Sequence, residues 1–85
     1  MAGLLGNPLR YYATLPSNDA NKFVTNGWWE CGDSVSNMPC NWCYLIVFRM
    51  SNSNFIVQFA MNNESGGFYY RKCYNGNWLS WIEIQ

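Results

Sequence analysis

The sequence predicts a mainly β domain, α+β at most, built as a small twisted antiparallel meander of about four to five strands with one short N-terminal helical turn. Short runs rich in β-branched and aromatic residues alternate between two faces with a period of two. Asn- and Gly-containing turns separate these runs. The turns are too short for the crossovers that parallel strands require, so the pairing is expected to be antiparallel.

The N-terminal part of the chain is expected to hold little regular structure. Residues 1–16 contain several glycines and prolines, which predicts an extended arm that packs on a neighbouring subunit or continues an upstream shaft. A knob-like β domain then covers residues 17–85. The segment 17–19 supplies capping side chains for one helical turn over 20–24. Asn26 and Gly27 mark a tight turn after it.

The strands follow this turn. Asn75 and Gly76 form the strongest hairpin signal in the chain. The polar loop 32–41 and the turns 51–54 and 62–67 separate the other runs. The predicted strands are Trp28 to Cys31, Trp42 to Met50, Phe55 to Met61, Phe68 to Tyr74 and Trp78 to Ile84.

Alternation within these runs gives the predicted sheet one strongly aromatic face and one face of small, polar and apolar residues. In the strand 55–61 the odd-numbered residues point one way and the even-numbered residues the other. In the last run, Trp78 and Ile82 are expected on one face and Trp81 on the opposite face.

Composition restricts the classes of function. Apolar residues make up 49% of the chain and charged residues 12%, with zero net charge, so disorder is not expected. No apolar run is long enough for a membrane-spanning helix, and no basic run suits nucleic acid. Histidine is absent, which removes the commonest general base, and the prediction is a non-enzymatic protein without a cofactor. Aromatic residues are 19% of a chain too small to bury them all, which predicts association with itself.

Several segments resemble, in order, the knob-type domain of bacteriophage tail fibres and pyocin fibres. The ending from Asn75 to Trp81 resembles that family's NG-x-W-x-x-W sequence. The segments 21–29, 42–47, 57–60 and 69–71 are similar to its other motifs, so the resemblance spans roughly residues 17–84. The positions that carry it are Gly27, Tyr44, Gln58, Tyr69, Arg71 and Trp81.

The resemblance implies a homotrimeric virion fibre domain, assembled in the host cytoplasm with other virion proteins, that attaches to the host cell surface, often to glycans. The alternative is a purely structural fibre or head-fibre module that caps or trimerises without a ligand of its own. Aromatic rings stack on the apolar faces of sugars, and rings beside loops are the better candidates for this contact. The expected ligand-binding residues are therefore Trp28, Trp29, Tyr74 and Trp78.

The four cysteines leave three arrangements open. Cys31, Cys40, Cys43 and Cys73 provide enough thiolates for a zinc site, but a zinc ribbon usually has two CxxC pairs and this chain has one. Two disulfides are the second arrangement. Free thiols are favoured, because a virion protein assembles in a reducing cytosol.

The inward-facing strand residue Arg71 needs a partner to offset its desolvation. Glu83, on the neighbouring strand, is the expected partner.

Overall fold

The computed structural model describes residues 9–52, 54–64 and 66–84. Over these ranges the chain forms one antiparallel sheet and a single 3₁₀ turn, Ala20–Lys22. The strands are β1 (Gly27–Cys31), β2 (Cys43–Arg49), β3 (Phe55–Asn62), β4 (Phe68–Tyr74), β5 (Asn77–Trp78) and β6 (Ile82–Ile84). The strands β1 to β5 are neighbours in the sheet in chain order, and β6 pairs with β4 as β5 does, further along the same edge. The predicted mainly β fold class and the antiparallel meander are therefore confirmed.

The predicted last strand is divided by a bulge. Cys73 pairs with Trp78, whereas Tyr70 pairs with Ile82, so two residues of β4 lie opposite three residues, 79–81. The extra residue shifts the alternation by one and moves Ile82 to the other face from Trp78. The expectation that Trp78 and Ile82 share a face is wrong for this reason.

The buried side of the sheet is the mixed face. Leu45, Val47, Ile56 and Ala60 are buried there together with Gln58. The segment 12–24, the loop 32–41 and the two tryptophans that follow β4 pack over this side. The core therefore lies between one face of the sheet and irregular chain, with no second layer of regular structure in the described ranges.

Gln58 joins the 3₁₀ turn to the sheet. Its Nε2 donates to the carbonyls of Ala20 (2.8 Å) and Phe23 (3.0 Å), and its side chain is fully buried. Asp19 caps the turn by accepting from the backbone N–H of Asn21 at 3.0 Å. The turn is thus fixed from both ends, as the capping residues in the sequence predict.

The described part of the N-terminal arm packs on this chain's own sheet. The backbone N–H of Tyr12 donates to the carbonyl of Trp28, and the N–H of Trp28 donates to the carbonyl of Arg10. A side chain on Gly27 would meet the Tyr12 ring at 2.5 Å, which explains the glycine at this crossing. Residues 10–12 and Leu15 of the predicted arm thus pack on this chain itself, and residues 1–8 lie outside the described part of the chain. In the described ranges, no helix is both long enough and apolar enough to cross a membrane.

Candidate functional site

The aromatic face of the sheet is uncovered. Two rows of side chains, aligned by the strand register, cross five strands of the sheet on this face. The first row is Trp28, Ile46, Phe59, Tyr70 and Ile82. The second is Glu30, Tyr44, Met61, Phe68 and Ile84. Together with Phe48, Val57, Lys72, Phe55 and Tyr74, these residues form what we call the open face.

No residue of the open face is buried against the rest of the described chain. Phe48, Phe68, Ile82 and Ile84 are each about half exposed, and Tyr74 is 65% exposed. The open face is not flat, because it contains a hollow of about 460 Å³ that is lined by Leu9, Trp28 and neighbouring apolar side chains. The sheet thus buries the face that carries the polar residues Gln58 and Arg71 and exposes a large part of its aromatic face.

The four rings expected to bind a ligand do not come together. Trp29 is only 3% exposed, because it packs edge-on against Phe23 and stacks on Tyr12 in the core. Trp29 therefore cannot offer a ring face to a ligand, and its indole N–H has no partner in the described residues. Trp28 and Tyr74 lie on the open face, on the well-separated strands β1 and β4.

The fourth ring, Trp78, belongs to a cluster on the core side. The Arg71 guanidinium carbon lies 4.1 Å from the Trp78 ring centre and 4.8 Å from that of Trp81. Trp81 reaches this position because of the bulge, and its Nε1 donates to the carbonyl of Asn37 at 2.8 Å. Trp78 and Trp81 are therefore partly engaged in contacts that stabilise the fold.

The partner of Arg71 is Gln58. Arg71 is 5% exposed, and its Nε donates to the Gln58 Oε1 at 2.8 Å. Burial lowers the pKa of Arg71 to about 10, while attraction to Asp19 opposes this shift. Glu83, the expected partner, is exposed and lies opposite Tyr69 instead. The neutral Gln58 amide suits this position because its oxygen accepts from Arg71 while its nitrogen donates to the carbonyls of Ala20 and Phe23.

The cysteines differ from the favoured expectation of free thiols. Cys40 and Cys43 form a disulfide, and Cys31 and Cys73 are free and buried. In the described residues no group of three or more metal-ligating side chains is close enough to hold a metal ion. Burial raises the pKa of the Cys31 thiol to about 11. The structure gives the zinc alternative no support, and the second of the two disulfides is not formed.

The remaining family-like positions have separate places. Tyr44 is half-buried on the open face, and its hydroxyl donates to the Oδ1 of Asn63 at 3.3 Å. Tyr69 lies on the core side of β4, against Gly67, where an added Cβ would meet the ring at 2.9 Å. Only Gln58, Arg71 and Trp81 form a connected group.

A cavity that sequence reasoning did not single out lies at the corner where β1 ends and β2 begins. Its volume is about 320 Å³. The Trp42 indole is 54% exposed here, beside a carboxylate and an amide. The lining consists of Glu30, Cys31, Gly32, Trp42, Cys43, Tyr44 and Asn63. Because Trp42 stands at the start of a predicted strand, its alternation did not distinguish it from core rings.

The backbone at Trp42 is unusual. Its φ is 58°, a left-handed value that bulky side chains rarely adopt. The N–H of Trp42 donates to the carbonyl of Gly32 and its carbonyl accepts from the N–H of Asn63, both at 3.1 Å. The Cys40–Cys43 disulfide spans this residue. The ring is therefore held in place by its surroundings.

Comparisons of the chain with protein-family models, curated proteins and solved structures found no match.

Proposed function

We propose that this chain is a non-enzymatic domain of a virion fibre that associates with copies of itself, as a homotrimer, and attaches the particle to glycans of the host cell surface. The open face is the observation that carries the proposal. The resemblance of residues 17–84 to the knob-type fibre domain supports the assignment to a virion fibre, where other virion proteins would be further partners.

The area of the open face fits a stable interface. A phenylalanine or tyrosine side chain buries about 150–250 Å² when fully covered, so Phe48, Phe68 and Tyr74, each about half exposed or more, offer roughly 300 Å². The half-exposed Ile82 and Ile84 add to this area. The half-buried members of the rows extend this patch towards the approximately 800 Å² per partner of an ordinary stable interface.

Copies of the same chain are the occupant we favour for this face. The chain has zero net charge, so its copies approach one another without net repulsion. The open face contains only two charged residues, Glu30 and Lys72, of opposite sign. Three such faces around a common axis would cover one another's aromatic rows.

Attachment is favoured over chemistry by the residues available. The chain has no histidine and only five carboxylates. Arg71, its most deeply buried cation, is engaged by Gln58 and two indoles. Weak contacts by each subunit would suffice, because a trimer presents several at once and raises their effective concentration.

The self-association is tested with Phe68→Asp, which places a carboxylate in the open face at a residue that is 50% exposed. Thr14→Asp is the control, because Thr14 is also exposed and lies in the segment that packs over the opposite, core side of the sheet. Native mass spectrometry and light scattering should report a trimer for the wild type and the control and a monomer for Phe68→Asp. A wild type that stays monomeric at a concentration of about 100 μM, well above the dissociation constant of a stable interface, would contradict the proposal.

The structural alternative is favoured by the position of the exposed rings: Phe48, Phe68 and Tyr74 lie on the open face, so burial between copies would cover them without a ligand. Binding of the assembled protein to immobilised bacterial surface glycans separates the two functions. Retention of the trimer on such an array supports attachment. A trimer that binds none of the glycans supports the structural module.

A further inference from the structure

We propose that the cavity beside Trp42 is the glycan-contact site and that it takes a neutral sugar. This inference rests on the proposed attachment function and names the place and the substrate class for it. The site consists of the Trp42 indole together with Glu30, Tyr44 and Asn63.

The first step of the argument is that Trp42 is presented to solvent at a conformational cost. A bulky residue at a φ of 58° is disfavoured, and such backbone persists only where the surroundings fix it. Burial does not compensate for this conformation, because Trp42 is 54% exposed. A glycine or asparagine would meet the same backbone requirement without strain.

The second step is that the ring is pre-organised. Two backbone hydrogen bonds hold Trp42, to Gly32 and from Asn63, and the Cys40–Cys43 disulfide closes the chain around it. A Cβ on Gly32 would lie 3.4 Å from the indole, so the ring packs directly on the glycine backbone. A ring fixed before binding loses little conformational entropy when a ligand stacks on it.

The third step is the chemistry of the lining. An indole stacks on the C–H face of a pyranose, and a carboxylate accepts hydrogen bonds from two sugar hydroxyls. Glu30 provides the carboxylate, and Asn63 and the Tyr44 hydroxyl add groups that suit hydroxyls. The volume of about 320 Å³ lies at the small end of ligand pockets, the size of one or two sugar rings.

The fourth step is the sign of the charge. The lining contains one carboxylate, Glu30, and no lysine or arginine. A uronic or sialic acid would bring a second negative charge into the cavity without a cation to balance it. The site therefore favours neutral hexoses and N-acetylhexosamines over acidic sugars.

The position of the cavity is compatible with assembly. Glu30 and Tyr44 end the second row at the β1 edge of the sheet, so the cavity opens at the rim of the open face. Copies that cover the part of the open face on β3, β4 and β6, with Met61, Phe68 and Ile84, would leave this rim on β1 and β2 in contact with solvent. Each trimer would then present three such cavities.

The test uses an array of immobilised neutral hexose and N-acetylhexosamine oligosaccharides and their uronic-acid-containing counterparts. Wild-type protein should bind members of the neutral set. Trp42→Asn should lower that binding at least tenfold. It should also leave the melting temperature equal or higher, because asparagine tolerates the left-handed backbone. Met50→Asn, at another exposed apolar side chain outside the cavity, should change binding less than twofold.

Glu30→Gln provides a second, independent variant. The substitution removes the negative charge but keeps a side-chain oxygen that accepts hydrogen bonds. It should therefore allow the acidic oligosaccharides to bind within threefold of their neutral counterparts. A wild type that prefers acidic sugars would overturn the inference. So would a Trp42→Asn variant that binds normally or melts more than about 5 °C lower, since a loss of that size indicates a structural ring.

The outcomes also separate this inference from the proposed function. Glycan binding that is insensitive to Trp42→Asn rejects the cavity and leaves attachment standing. A trimer that binds no member of either set rejects attachment and, with it, the cavity.

Discussion

Replacing Gln58 with methionine should destabilise the domain far more than one polar-to-apolar change in a core normally does. The amide is fully buried and makes three hydrogen bonds, two to the carbonyls of Ala20 and Phe23 and one from Arg71. Methionine fills a similar volume, so the loss would come from unpaired polar groups and not from a cavity. The Phe23 carbonyl and the Arg71 Nε would lose the bond from or to Gln58, and the Ala20 carbonyl would keep only its bond from the Phe23 N–H.

The magnitude follows from these bonds. Each neutral bond contributes about 1 kcal/mol and the bond from the charged guanidinium about 2 kcal/mol, which gives about 4 kcal/mol in total. An 85-residue domain has a free energy of unfolding of roughly 4–13 kcal/mol, so this loss would remove a large part of it. At an m-value of about 1.5 kcal/mol/M, the urea midpoint should fall by roughly 2.5 M.

Urea unfolding followed by tryptophan fluorescence measures the effect. The measurement uses the Phe68→Asp background, which we expect to be monomeric, so that self-association does not alter the midpoint. Val57→Met is the control, because it places methionine in the same strand without touching the polar network. The double variant Gln58→Met with Arg71→Met should show a coupling of about 2 kcal/mol between the two residues. A Gln58→Met midpoint within 0.5 M of the control, less than about 1 kcal/mol, would refute this account of the core.

Two further predictions concern pH. Hydrogen bonds from Asn37 and from the backbone of Asn21 lower the pKa of Asp19 below its ordinary 3.8, so the stability it contributes is present above pH 3.8 and lost as pH falls through the lowered pKa. Asp19→Asn should therefore flatten the acid side of the stability curve, and an unchanged acid transition would contradict this. Burial raises the pKa of Cys31 from 9.0 to about 11, so stability should fall between pH 9 and 11, where the unfolded thiol ionises first. In Cys31→Ala the decline over that interval should be smaller by thermal melting, and an equal decline would contradict the assignment.

Much of the sheet is predictable from the sequence because its signals are local. The Asn75-Gly76 turn has both residues at positive φ, as the hairpin signal requires, and β4 has the predicted bounds. The bulge is not predictable in this way. Residues 78–84 alternate acceptably with or without the bulge. The register with the bulge places Trp81 beside Arg71, where the Trp81 indole N–H donates to the Asn37 carbonyl.

The sequence also does not predict which of the two faces of the sheet is buried. Alternation assigns Gln58 and Phe59 to opposite faces, and the register confirms that they lie apart. Hydrophobicity alone would place the aromatic face inside. The structure buries the Gln58 face instead, where the Gln58 amide donates to the carbonyls of Ala20 and Phe23 at and just after the 3₁₀ turn. The exposed position of Trp42 is not predicted from the sequence either. Its positive φ accompanies backbone hydrogen bonds with Gly32 and Asn63, which are distant from Trp42 in the sequence.

The way residues 10–12 lie along β1 bears on how far an assembly of this domain can grow. By bonding with the N–H and the carbonyl of Trp28, this segment occupies part of the edge through which a foreign strand would extend the sheet. At the opposite margin the bulge interrupts the regular ladder that an incoming strand needs. Both edges of the sheet therefore offer an incoming strand an interrupted ladder of backbone groups, and we expect this to discourage lateral growth into ribbons.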